Sequence, residues 1–196
     1  MERQSKLSPI PRVDSFTSHL GLVVMLGGMA MFFITLFVSQ SILENRFGVS
    51  YMPGGGSTFL FHSSMNTMVL IVASLLLEMG WQKLRKDDSN SAILYQGSTL
   101  FASVVFLVSQ VGLWNRMSTA GFLPSTDLMG AFFYAFTGLH GLHIVGAVGT
   151  LGWLFWKMHT VEESDLLIRW TVNARMFVHF LTVVWLFIFV RLFVMV

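Results

Sequence analysis

The chain has 196 residues, of which 54% are hydrophobic and only 11% are charged. A soluble fold of this length could not bury so much apolar side chain, because small folds leave much of their surface in water. The formal net charge of +2 is too small to indicate a nucleic-acid partner, and the lack of cysteine excludes disulfides, thiolate catalysis and cysteine-ligated metal or haem. The composition therefore predicts a membrane protein.

Five segments are long and apolar enough to cross about 30 Å of hydrocarbon as helices. They are residues 20–43, 58–79, 94–114, 128–156 and 172–196. The short alternating segments typical of a membrane β-barrel are absent from the sequence. We therefore predict an all-α polytopic membrane protein, with one transmembrane domain over residues 1–196 and a polar tail at 1–18. The first apolar segment is too long for a signal peptide and lacks a cleavage site, so we expect it to be retained.

Basic residues in the connections predict the orientation, since lysine and arginine favour the cytoplasmic side. One side would hold Arg3, Lys6, Arg12, Lys83, Arg85, Lys86, Lys157, Arg169 and Arg175. The other side would hold Arg46, Arg116 and Arg191. We therefore expect a cytoplasmic N-terminus and an external C-terminus. Polar or glycine-rich turns are predicted at 53–57, 86–90 and 162–165.

Four histidines lie inside predicted spans, where polar groups are costly and often functional. They are His62, His140, His143 and His179, and His19 lies at the inner end of the first span. One interpretation is a metal or haem site, with His62 facing His140 or His143 and His19 facing His179. The other interpretation is that buried imidazoles hydrogen-bond across helix interfaces. The second is favoured, because the spacing does not require paired ligands and no Glu-x-x-His motif is present.

Charged residues lie near the ends of the predicted spans. Glu78 closes the second span, where we expect it to meet the basic residues that follow it in sequence; a proton relay is the alternative. His62 is the other candidate for an interface or proton-related role. Asp127 is predicted to be part of the N-cap of the fourth helix, and Arg191 is predicted to extend toward the headgroups. Because no carboxylate lies at mid-depth, a proton pump or ion-coupled transporter made by this chain alone is disfavoured.

Small residues are concentrated in the fourth span and at the start of the first. They are Ala131, Ala135, Gly138, Gly141, Gly146, Ala147, Gly149 and Gly152 in the fourth span, and Gly21, Gly27 and Gly28 in the first. Small side chains let membrane helices approach closely. The pattern predicts close packing, either within this chain or against other chains of a larger assembly.

Two stretches of the chain resemble the haem–copper oxidase subunit III family. Residues 130–146 read GAFFYAFTGLHGLHIVG, and Thr137–His143 is the most specific part. Residues 178–189 read VHFLTVVWLFIF and resemble the last helix of that family. Weaker similarities, in family order, are Leu20-Gly21, Met65-Asn66-Thr67, and Gln110 with Trp114. The resemblance covers nearly the whole chain.

The resemblance implies the short, five-helix bacterial form of subunit III in the inner membrane. Such a subunit binds oxidase subunit I, in a complex with subunit II, and holds phospholipid in a cleft between helices. It supports proton uptake and sustained turnover of an enzyme that reduces O₂ with electrons from cytochrome c or quinol. Haem and copper would lie in the partner subunits, so this chain would hold no cofactor, metal or catalytic residue. The matching residues would then be structural: His140, His143, His179, Gly138, Gly141 and Trp185.

Three positions depart from the family pattern. Many members carry an acidic residue where this chain has Met29, Leu113 and Thr182. Any proton-related role of those acids therefore does not transfer to this chain. The departures raise a second hypothesis, the related accessory subunit of a nitric oxide reductase. From other classes, a stand-alone membrane haem protein and a small channel or transporter remain as alternatives.

Overall fold

The computed structural model of the chain describes residues 15–47, 56–125, 128–160 and 165–194. The helices are α1 Ser15–Phe47, α2 Gly56–Leu84, α3 Ser89–Thr119, α4 Leu128–Thr160 and α5 Asp165–Phe189, and a π-helical segment, Val190–Val194, continues α5. Each of the five α-helices contains a stretch long and apolar enough to cross a membrane. The predicted all-α, five-span architecture is confirmed.

The helices extend beyond the predicted apolar spans, because polar residues continue them past the hydrocarbon boundary. α2 runs to Leu84 rather than Met79, and α3 begins at Ser89 rather than Leu94. The turn predicted at 86–90 is therefore shorter. Residues 53–55 and 162–164 of the other predicted turns lie outside the described residues. So does Asp127, the predicted N-cap residue.

The core lies between α2, α3, α4 and α5, which pack against one another as a bundle. Its centre is aromatic: Phe106 of α3 meets Trp185 of α5 edge-on, with ring centroids 5.0 Å apart. Large side chains with negligible exposure are Trp185, Phe106, Phe133, Phe136, Leu181 and Ile188. Aromatic rings supply much buried area, and edge-to-face pairs add to it. This layer fixes the relative positions of the four helices.

α1 lies at the periphery of the bundle. Only 6% of its most apolar stretch is buried, against 44% for α5. Its second half packs on α4 and α5, where Phe33 is buried and Phe37 stacks on Phe136 with ring centroids 4.6 Å apart. Its first half presents Leu20, Val23 and other large apolar side chains outward.

Lys83 in the last turn of α2 is followed by Arg85 and Lys86 in the α2–α3 turn, and we name this side of the bundle the basic end. Asp88 caps α3 by accepting the Ser91 N–H at 3.2 Å, and Lys83 bonds the same carboxylate at 3.2 Å. Hydrogen bonds from the side chain and backbone of Ser91, together with the Lys83 ammonium, hold the pKa of Asp88 below its usual range. The cap therefore depends on an ionised carboxylate.

We expect acid to loosen the first turn of α3. A depressed folded-state pKa means that the capping contribution is fully present above the unfolded-state pKa and is lost as pH falls through the folded value. Protection of the Ser91 amide, measured by hydrogen exchange and corrected for intrinsic rates, should drop only at the acid end. Asp88→Asn accepts the same bond without titrating, so an equal drop in that variant would contradict the assignment.

Glycines of α4 differ sharply in their surroundings. A Cβ on Gly130 would lie 2.6 Å from the carbonyl oxygen of Leu123, whereas one on Gly141 would contact the Trp114 ring at 3.7 Å. A Cβ on Gly138 would meet nothing within 4 Å. Close packing within this chain is therefore present at Gly130 and Gly141, whereas Gly138 has no such neighbour among the described residues. The same open surroundings occur at Gly21, Gly27, Gly28, Gly146 and Gly149.

Gly130→Ala should destabilise the bundle by about 1–3 kcal/mol, because the new methyl group must displace backbone rather than a flexible side chain. Gly138→Ala is the matched control on the same helix, and its unfolding free energy should stay within about 0.5 kcal/mol of the parent. Reversible unfolding of both variants in mixed micelles provides the measurement. Equal changes in the unfolding free energy of the two variants would show that the Leu123 contact does not require glycine at position 130.

Candidate functional site

Four polar side chains join α2 to α5 near the basic end, and we name them the α2–α5 polar cluster. Arg175 donates from Nη1 to both carboxylate oxygens of Glu78 at 3.0 and 2.9 Å. The Nε2 atom of His179 lies 3.3 Å from Glu78 Oε2, and its Nδ1 lies 2.6 Å from Ser74 Oγ. The Arg175 guanidinium also lies 5.1 Å from the centre of the Trp81 ring, within range of a cation–π contact.

Glu78 pairs with residues of α5 and not with the basic residues predicted from the sequence. The basic residues that follow it in sequence were predicted to meet it, but its carboxylate bonds Arg175 and His179 of α5. Lys83 instead bonds Asp88. The reason is geometric: residues one turn apart share a helix face, and Glu78 lies on the face of α2 that meets α5.

A second ion pair joins α1 to the end of α5 on the opposite side of the membrane. Arg191 donates from Nη2 to Glu44, whose other carboxylate oxygen accepts from Gln40 at 2.9 Å. Extension of Arg191 to the headgroups was predicted, and its pairing with α1 corrects that prediction. At about 1.5 Å per residue, Arg175 and Arg191 are about 24 Å apart along α5. The two ion pairs thus lie near the two hydrocarbon boundaries.

The family-motif histidines of α4 do not bond across helix interfaces. His140 is fully buried against the Trp185 and Phe106 rings, with centroids 5.1 and 6.0 Å away, and neither ring nitrogen has a hydrogen-bond partner. His143 donates from Nδ1 to the carbonyl of Leu139 one turn earlier, at 2.6 Å. The predicted interhelical hydrogen bonds are therefore wrong for both residues, which make ring contacts instead.

The other two histidines inside the spans contact neighbouring helices. His62 lies 3.2 Å from the hydroxyl and 3.2 Å from the carbonyl of Ser109, on α3. Both ring nitrogens of His179 are engaged by α2, so it does not face His19 as a ligand pair. In the four described ranges, no group of three or more His, Cys, Asp or Glu residues could hold a metal ion.

Buried polar pairs between spans complete the bundle. Asn66 donates to Gln110 at 3.0 Å, and Trp185 donates from its indole N–H to Thr67 Oγ1 at 3.0 Å. Trp114 donates in the same way to a hydroxyl on α4, that of Thr137, at 2.9 Å. Hydrogen bonds of this kind hold membrane helices together where lipid supplies no hydrophobic drive.

Sequence reasoning missed the Arg175 and Ser74 contributions to the α2–α5 polar cluster. A signal was present: Ser74 and Glu78 are four residues apart in one span, and Arg175 and His179 are four residues apart in another. Such spacing places each pair on one helix face. The α2 face carries the acidic Glu78, and the α5 face, at a similar depth, carries the cationic Arg175. Opposite charges on two spans indicate that these faces are in contact.

Comparison with known proteins agrees with this arrangement. The family model described as cytochrome c oxidase subunit III matches residues 15–196. The chain belongs to the cytochrome c oxidase subunit III family. The resemblance noted in the sequence is thereby confirmed, and the chain is a multi-pass membrane protein of that family.

A curated relative supports the assignment. Cytochrome c oxidase subunit 3 of Thermostichus vulcanus is 30% identical over 121 residues, which cover 62% of this chain and 58% of the relative. The match thus spans somewhat more than half the length of that subunit III.

The bond between Trp185 and Thr67 should be measurable as a coupling energy. Trp185→Phe and Thr67→Val each remove one partner of the hydrogen bond. The double variant should lose about 0.6 kcal/mol less unfolding free energy than the two single variants lose in sum. Unfolding free energies of the four proteins in mixed micelles give the cycle. Combining Thr67→Val with Trp114→Phe is the control, because Trp114 bonds Thr137, and there the losses should add. Additive losses in the first cycle would mean that the bond contributes nothing.

Proposed function

We propose that the chain is the accessory, non-catalytic subunit III of a respiratory haem–copper terminal oxidase in a bacterial inner membrane. Its basic end faces the cytoplasm, in keeping with the positive-inside rule. Haem and copper belong to the partner subunits, which reduce O₂ and translocate protons. Family membership and the five spanning helices support the proposal.

The open face of α1 is the observation that carries a role in a complex. Nothing lies within 4 Å of a Cβ built on Gly21, Gly27 or Gly28, and the first half of the helix contacts little of this chain. Among the described residues, no helix takes up the close approach that these glycines permit. We therefore assign this face to oxidase subunit I, which the chain stabilises.

A groove between α1 and α5 supports phospholipid binding. It has a volume of about 470 Å³ and is lined by Phe37, Val38, Ser41, Ile42, Asn45, Phe187, Val190 and Arg191. Its walls are mostly apolar, while Arg191 and Asn45 supply polar atoms at one end. An acyl chain lying along the walls with a headgroup near the polar end matches this chemistry.

The positions where many family members carry acids are packed in this protein. Leu113 is fully buried, Met29 packs against the core, and Thr182 donates to the carbonyl of Val178 at 3.0 Å. A carboxylate at Leu113 would be withdrawn from water at a fully buried position, which is costly unless it is paired. We infer that any support of proton uptake by this subunit uses other groups, with Glu78 and His62 as candidates.

Affinity purification tests the complex. A tagged chain extracted in mild detergent should co-purify with a large multi-histidine oxidase subunit, and the eluate should show haem absorbance. Oxidase prepared without the chain should start at a normal rate but inactivate in fewer turnovers. Adding back purified chain should restore the lifetime.

Other outcomes discriminate among the alternatives. Co-purification of a nitric oxide reductase would replace the oxidase assignment while keeping the accessory role. A haem spectrum from the chain alone would favour a stand-alone haem protein. A colourless, solitary chain would contradict the complex-subunit proposal and favour a channel or transporter. An oxidase whose lifetime does not depend on the chain would remove the stabilising role.

A further inference from the structure

The α2–α5 polar cluster has a feature that helix association does not require: an imidazole held between a hydroxyl and a paired carboxylate. We propose that it is a proton-binding site, with His179 as the acceptor and Ser74 and Glu78 as the groups that hold it in both protonation states. The site lies wholly within this chain, so it does not depend on which partner the chain binds.

The hydrogen-bond directions follow from the donors and acceptors. Glu78 is engaged by both guanidinium bonds of Arg175, so its carboxylate acts as an acceptor only. The His179 Nε2 atom, 3.3 Å from Glu78 Oε2, must then carry a proton and donate. In the neutral ring Nδ1 is left as the acceptor, and Ser74 donates its hydroxyl proton to it across 2.6 Å. The neutral tautomer is thereby fixed by its neighbours.

Proton uptake reverses the direction of one hydrogen bond and keeps the others. An added proton binds the Nδ1 lone pair, and the new N–H donates to the Ser74 oxygen. The serine hydroxyl proton turns toward the backbone carbonyl one turn earlier in α2, a common partner of helical serines. No other bond forms or breaks. The cluster changes from neutral to a single positive charge, and the added charge lies next to the Glu78 carboxylate, which Arg175 shares.

The charged groups around His179 are few and have opposing effects. Glu78 on α2 favours the imidazolium, and Arg175 on α5 opposes it. Lys83 is bonded to Asp88 beyond the end of the apolar span. Among the described contacts of His179, neither α1 nor α4 supplies a charged group. The side chains of Arg175, Glu78 and His179 are 25%, 35% and 37% exposed, so the cluster lies at the surface of this chain and not in its core.

Nitrogen NMR of the full chain, labelled with ¹⁵N-histidine in lipid nanodiscs, tests the proposal. The His179 signals, assigned by loss in His179→Asn, should report the Nε2–H tautomer at high pH. They should convert to those of the imidazolium as the pH is lowered through about pH 8 to 5, the range in which histidine side chains change charge. His62 is an internal comparison, because it also meets a serine but has no carboxylate among its described hydrogen bonds.

Two charge variants make the test specific. Glu78→Gln removes the negative charge beside Nε2, so conversion to the imidazolium should need a lower pH than in the parent, whereas Arg175→Gln should allow it at a higher pH. The His62 signals should be the same in both variants as in the parent. If Glu78→Gln fails to fold, Arg175→Gln still provides the comparison, since the Glu78–His179 contact remains.

Two results for the unmodified chain would overturn the proposal. A His179 ring that stays neutral at every pH of the titration, or that shows the opposite tautomer, would mean that its contacts are purely structural. Midpoints that move in the same direction in both variants would also refute it. Failure to co-purify an oxidase leaves this titration unaffected, so the two proposals fail independently.

Discussion

The fifth helix is held at both hydrocarbon boundaries by ion pairs, and the arrangement of the other helices depends on this. Arg175 pairs with Glu78 of α2 near the basic end, and Arg191 pairs with Glu44 of α1 on the opposite side. In lipid the alternative for each charge is costly, so a partner on a neighbouring helix is strongly favoured. Between the two pairs, Trp185 packs on Phe106 and His140 and bonds Thr67. Polar contacts therefore set the register of α5, and aromatic packing fills the space between them.

The same balance of polar contacts and aromatic packing explains the unequal roles of the histidines inside the spans. His179 and His62 lie at helix seams where a hydroxyl on the next helix can reach the ring. His140 lies in the aromatic layer, where the shape of its ring fills the space beside Trp185. His143, one turn along, bonds its own helix and turns its ring toward Phe33 of α1, with centroids 6.1 Å apart. One motif thus contributes to two different interfaces.

Much of the fold was predictable because the bilayer imposes a simple rule on sequence. A run of apolar residues about 20 long must form a helix, since an unpaired backbone is too costly in lipid. The five spans could therefore be predicted from the apolar segments. The ends of the helices could not, because residues such as Lys83 and Ser89 are polar yet remain helical beyond the hydrocarbon. The partners of Glu78 and Arg191 were missed for another reason: sequence neighbours are visible in the chain, but the facing helix is known only after packing. At Gly138 the sequence indicated a close neighbour that the described part of the chain does not provide, since a small residue permits close packing but does not cause it.

The placement of both arginines on the last helix has a consequence for how the protein is made. Glu44 and Glu78 enter the bilayer with α1 and α2, while the cations that neutralise them emerge from the ribosome only with α5. Until then, each carboxylate must stay protonated, remain near the headgroups or be shielded by the insertion machinery. A nascent chain stalled before α5 would expose two unmatched acids and an unfilled aromatic layer within the membrane. Insertion of α5 and its π-helical continuation therefore supplies a cation for each carboxylate and the Trp185 ring for the aromatic layer.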